Sequence, residues 1–121
     1  MKIERFEDVR AWQMARELTN LIYDVTESGE FSRDFGLKDQ IRRASASIMH
    51  NIAEGFDAGS DAEFINFLKY ARRSASEVQS ELYLATDRRY VTAEQFQLLY
   101  DKATEVKKSI NAFIAYLRKS K

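Results

Sequence analysis

Apolar residues recur along this chain at alternating steps of four and three in four separate blocks, the spacing of one face of an α-helix. Ala11, Ala15, Leu18, Ile22 and Val25 make the first seam, widened by Met14 and Leu21. The pattern predicts a helix from Phe6 or Glu7 to Glu27. Leu37, Ile41, Ala44, Ile48 and Ile52 make the second, predicting a helix from Leu37 to Glu54. Phe64, Leu68, Ala71, Ala75, Val78, Leu82 and Ala85 make the third, and Phe96, Leu99, Ala103, Val106, Ile110, Phe113 and Leu117 the fourth. Nothing alternates with a period of two.

The breaks between blocks are equally legible. Proline is absent, and the four glycines, at 29, 36, 55 and 59, all interrupt the apolar periodicity. Gly55 is expected to end the second helix in a left-handed conformation. Ser60-Asp61-Ala62-Glu63 and Thr92-Ala93-Glu94-Gln95 read as capping boxes opening the third and fourth helices. In the first connection, residues 28–36, Phe31 and Phe35 are expected to tuck over the bundle end. Sustained four-three spacing with short connections predicts an all-α, antiparallel up-down-up-down four-helix bundle, with residues 1–121 forming one domain.

The second helix carries more than a core stripe. Beside its apolar seam runs a polar one: Gln40, Arg43, Ser47, Asn51 and Glu54. A solvated face is the ordinary reading of such a stripe. Ser45 and Ser47, however, are short and poor helix formers, spaced to let another helix approach. Arg43 and Glu54 are expected to pair within or across subunits, with Gln40 and Asn51 setting register. The seam is therefore expected to be packed or interfacial.

Composition adds bounds. Hydrophobic residues make up 45% and charged residues 31%, a globular balance rather than a disordered one. Cysteine is absent, which removes disulfides and thiol chemistry. No apolar run approaches a membrane span and the N-terminal residues lack a signal-peptide core, so a cytoplasmic location is expected. Net charge is zero, with 8 basic and 11 acidic groups in residues 1–60 and the reverse, 11 and 8, in residues 61–121. That balance argues against a free-standing nucleic-acid binder, whose affinity comes from neutralising phosphates.

Particular residues then point to a family. Phe6, Trp12-Gln13, Ala15, Leu18 and Ile22-Tyr23 are followed by Gly36-Leu37 and Gln40-Ile41-Arg42-Arg43-Ala44-Ser45. Ser47-Ile48, Asn51-Ile52-Ala53-Glu54-Gly55, Glu63-Phe64, Phe67-Leu68, Ala71, Ser74 and Glu77 complete the pattern. The chain resembles, nearly end to end, the bacterial four-helix-bundle proteins encoded in intervening sequences of 23S ribosomal RNA genes. The resemblance implies a left-handed antiparallel bundle associating into a ring, a homopentamer, and it implies no established enzymatic activity. A related branch implies nucleic-acid binding through a basic ring surface. Three positions depart from the pattern: no proline follows the first helix, Arg73 replaces a small residue, and Ala58-Gly59 stands where a basic residue is common.

Candidate chemistry is sparse. Trp12, Thr19 and Tyr23 flank the core seam of the first helix and read either as a bundle edge or as an aromatic strip between protomers. His50, the one histidine, lies four residues before Glu54, but a zinc site needs further ligands that no cysteine or second histidine supplies. No metal, cofactor or catalytic constellation is expected. Lys69, Arg72 and Arg73 share a helix face and are the candidates for phosphate contact, although Arg73 also stands at ion-pair spacing from Glu77. The expected function is a non-enzymatic homo-oligomeric interaction or scaffold module, resting on Trp12, Tyr23, Gln40, Arg43, Ser47, Asn51 and Glu54. The alternative is a nucleic-acid-binding accessory factor working through RNA or DNA contacts on a basic surface. A protein partner is left unspecified, and no membrane is implicated.

Overall fold

A computed structural model describes residues 3–119, and within them the chain forms four α-helices and no strand. These are α1 (Arg10–Thr26), α2 (Phe35–Phe56), α3 (Asp61–Asp87) and α4 (Ala93–Lys119). Each helix packs on the next and α1 packs on α4, with the most extensive contact between α2 and α3. The predicted apolar seams meet in one core. Leu18, Ile22, Ile41, Ile48, Ile52, Leu68, Leu82, Leu99 and Ile110 are all fully buried there. Phe96 and Phe113 sit only at its margin, while Ile114, which the four-three count leaves out, is buried.

The caps follow from local side chains. Ser60 Oγ accepts the Glu63 amide at 3.2 Å and donates to Glu63 Oε1 at 3.1 Å. The Thr92 box is reciprocal: Thr92 Oγ1 accepts from the Gln95 amide at 3.1 Å, and Gln95 Oε1 accepts from the Thr92 amide at 2.9 Å. Each contact satisfies an amide that the first helical turn leaves free.

Four expectations are corrected. The first helix begins at Arg10, because the Asp8 carboxylate accepts the Glu4 and Arg5 amides at 3.1 Å each and folds Phe6–Asp8 into a separate 3-10 turn. The second helix begins two residues early, at Phe35, where Asp34 caps it by accepting the Leu37 amide. Phe35 consequently faces outward and is 71% exposed, whereas Phe31 is buried and stacks on Tyr90 at 5.1 Å. Gly55 is not a left-handed terminus. It lies inside α2, and a Cβ there would stand 2.7 Å from Phe64 Cδ1 and 2.8 Å from Phe67 Cβ. Glycine is required at this position because α3 presses directly on the backbone of α2.

Candidate association site

The polar seam of α2 lies along its junction with α3, and the two sides of that junction are treated differently. Ser47 and Ser74 meet Oγ to Oγ at 3.0 Å. Asn51 donates to the Ser47 carbonyl at 2.9 Å and to its hydroxyl at 3.0 Å. Close approach therefore survives next to Arg73, since Ser74 supplies the small side chain. Ser45 is fully buried and donates back to the Arg42 carbonyl. The inner half of the seam is thus engaged by α3 of the same chain.

The outer half is not. Gln40, Arg43 and Glu54 are exposed. Arg43 pairs with Asp39 at 2.9 Å, one turn back, instead of with the expected Glu54, which lies three turns away on the same helix. Gln40, Arg43, Ala44 and Ser47 line a groove of about 310 Å³ whose other wall is Glu77 and Glu81 of α3. Glu81 is the residue that spacing along one helix could not single out. It is half-buried, and its Oε1 is sealed from solvent with no hydrogen-bond partner among the described residues. Burial, reinforced by the Glu77 charge one turn away, pushes its carboxyl up to about 7.

That shift carries a stability consequence. The folded chain holds the Glu81 proton more tightly than the unfolded chain, whose carboxyl titrates near its ordinary 4.5. Stability contributed by the protonated form is complete below that value and is lost as pH rises toward 7. Glu81→Gln keeps the shape without the charge. In the dissociated chain it is expected to raise stability by about 1 kcal/mol at pH 8, a figure discounted for the half-exposed side chain, and to be neutral at pH 5. Urea denaturation at the two pH values checks this.

The other candidate residues scatter. Trp12 is half-buried, edge-on to Phe6 at 5.2 Å, with the Arg16 guanidinium over its ring at 5.8 Å. Thr19 is buried and donates to the Ala15 carbonyl, so it belongs to the helix and not to an aromatic strip. Tyr23 is 43% exposed and lies under the Arg42 guanidinium at 4.2 Å. Of the basic trio, Arg72 reaches across to Asn111 of α4 at 2.6 Å, while Arg73 lies over Tyr70 of its own helix at 5.5 Å and forms no ion pair with Glu77. Lys69 is half-buried and His50 exposed. Among the described residues no group of three or more His, Cys, Asp or Glu is placed to hold a metal ion. No helix among them is long and apolar enough to cross a membrane.

A second polar contact escaped the periodicity entirely. Gln79 is 6% exposed at the α3/α4 junction. It donates to the Tyr100 carbonyl at 3.2 Å and to Thr104 Oγ1 at 2.8 Å, and accepts from Lys107 Nζ at 3.0 Å. A glutamine one step off the apolar seam is the only trace it leaves in the sequence.

Comparison with known proteins places this geometry. The model of the 23S rRNA-intervening sequence protein family matches residues 7–112. A solved structure from Bacteroides thetaiotaomicron, described as a protein of unknown function from the S23 ribosomal protein family, is similar at 31% identity. The match covers 86% of this chain and 94% of that one, with a TM-score of 0.73. No curated protein sequence matches the chain. A family model spanning most of the chain leads to one conclusion: this chain belongs to the 23S rRNA-intervening sequence protein family.

Proposed function

We propose that the chain is a non-enzymatic interaction module of the cytoplasm that works as a homo-oligomer, using its α2/α3 face to bind another copy of itself. In this reading its helices run up-down-up-down in a left-handed antiparallel bundle, and its copies close into a ring, a homopentamer. The pairings across junctions support opposing directions for successive helices. Gly55 stands against Phe64, Ser47 against Ser74, and Gln40 and Ala44 share a groove with Glu81. On the other side, Arg72 meets Asn111 and Gln79 meets Thr104.

The observation that carries the functional reading is the Glu81 carboxylate. A buried acceptor without a donor is costly, and native chains rarely leave one unanswered. Here the half-buried side chain that carries it lines a groove walled by the exposed residues of the seam, so a second molecule seated in the groove would lie against it. Exposed Tyr70, Tyr83, Leu84 and Leu98 add apolar area of the kind that association removes from water. Light scattering after size exclusion is expected to give a mass several times 14.1 kDa at micromolar concentration. A lone chain at ~100 µM, a concentration at which a contact of even ~10 µM Kd is largely formed, would overturn the reading.

A further inference from the structure

We infer that the α2/α3 groove and the outer face of α1 beside α4 are the two halves of one joint, in which Glu81 of one copy receives Arg16 of the next. The inference rests on the self-association proposed above and specifies what meets what.

Glu77 and Glu81 form one wall of the groove. The groove's lining cation, Arg43, is paired with Asp39 and not with either glutamate. Several other cations are already engaged. Arg42 donates to Thr26 Oγ1 at 2.8 Å and to the Tyr23 carbonyl, Arg72 to Asn111, and Lys107 to Gln79. Lys102 stands 3.9 Å from Glu17.

Like Arg73 over Tyr70 and Lys38 over Phe35, Arg16 lies over an aromatic ring, that of Trp12, with no carboxylate within 4.0 Å among the described residues. It borders a second groove, of about 680 Å³, which Trp12, Leu21, Leu98 and Lys102 also line. Leu98 is 50% exposed there. A guanidinium over an indole beside an exposed leucine has the composition of an interface anchor, and its planar fork matches a carboxylate.

Charge also selects the geometry of the joint. Two copies facing each other groove to groove across a twofold axis would set Glu77 and Glu81 against Glu77 and Glu81, which like-charge juxtaposition disfavours. Groove against α1 face is complementary. It uses different patches on the two copies, and such head-to-tail contacts propagate into a ring when the rotation closes.

The joint makes association sensitive to pH in a definite direction. Glu81 must be ionised to receive a guanidinium. The charged groups around it are Glu77 on its own helix and Arg43, with Asp39, on α2. From α4, Lys107 faces Gln79 on the opposite flank of α3. With the carboxyl of the free chain pushed up to about 7, association should tighten as pH rises from about 6 to about 8. An apolar or neutral occupant of the groove would require the protonated acid and would tighten in the reverse direction.

The full-length chain tests this by sedimentation equilibrium. At pH 8, Arg16→Glu and Glu81→Gln are each expected to weaken association about tenfold. Glu81→Gln should also flatten the pH dependence. Combining Arg16→Glu with Glu81→Arg should recover most of the lost affinity, with circular dichroism confirming that every variant is folded. If wild-type protein associates while Arg16→Glu and Glu81→Gln leave it unchanged, or if acid tightens it, the joint is wrong and self-association stands. If wild-type protein does not associate, both fall.

Discussion

Replacing Gly55 with valine is expected to cost about 3 kcal/mol of folding stability, a fall in melting temperature of roughly 10 °C or more for a chain of this size. A Cβ at this position would lie 2.7 Å from the Phe64 ring and 2.8 Å from Phe67 Cβ. Neither neighbour can yield. Phe67 Cβ is fixed to the α3 backbone, and the Phe64 ring is held edge-on between Phe56 at 6.1 Å and Phe113 at 5.3 Å. α3 must therefore retreat from α2 along the most extensive contact in the bundle. Alanine should cost less, about 1–2 kcal/mol, because its better helix propensity returns part of the loss. Gly36 is the control, since a Cβ there meets nothing nearer than Asp34 Oδ1 at 3.8 Å. Gly36→Ala should be neutral or gain about 0.5 kcal/mol. Thermal melts of the variants check the ordering.

The second large effect separates two phenylalanines that sit four residues apart. Phe31→Ala is expected to destabilise the fold by about 3–4 kcal/mol, the range for emptying a buried aromatic site. Phe31 is 1% exposed, stacks on Tyr90, and joins the central core although it lies in a connection. Its loss leaves a void beneath the Tyr90 ring. Phe35→Ala should change stability by less than about 0.5 kcal/mol, because that ring is 71% exposed, with the Lys38 ammonium 5.0 Å from its centroid. Chemical denaturation of the pair gives the difference directly. Equal losses would contradict the burial assignment.

These two cases mark what a single sequence can reveal. The four core seams were legible because burial repeats with helical spacing, and Ala11, Ile41, Leu68 and Ile110 needed no knowledge of their neighbours. The serine and threonine caps were legible because their partners lie three residues away. Gly55 was misread because its role is set by Phe64 and Phe67, which arrive from another helix. Phe31 and Phe35 look alike in a polar loop, and only the start of α2 at Asp34 turns one inward and the other out. The candidate site divided in the same manner. Gln40, Arg43 and Ser47 announced themselves as a stripe on one helix, but the opposite wall, Glu77 and Glu81, joins them only when α3 is laid alongside. Glu81 carries no local mark of its unmet acceptor, since an acid on a polar helix flank is ordinary.

Asp34 links parts of the chain that lie far apart in sequence. Its Oδ1 accepts the Leu37 amide at the start of α2, and its Oδ2 accepts the Tyr90 hydroxyl at 2.9 Å, while that same tyrosine stacks on Phe31. The loop after α1 and the loop after α3 are thereby latched to each other. Fraying of either hairpin must break the other's fastening, so the chain has reason to open as a whole rather than by halves.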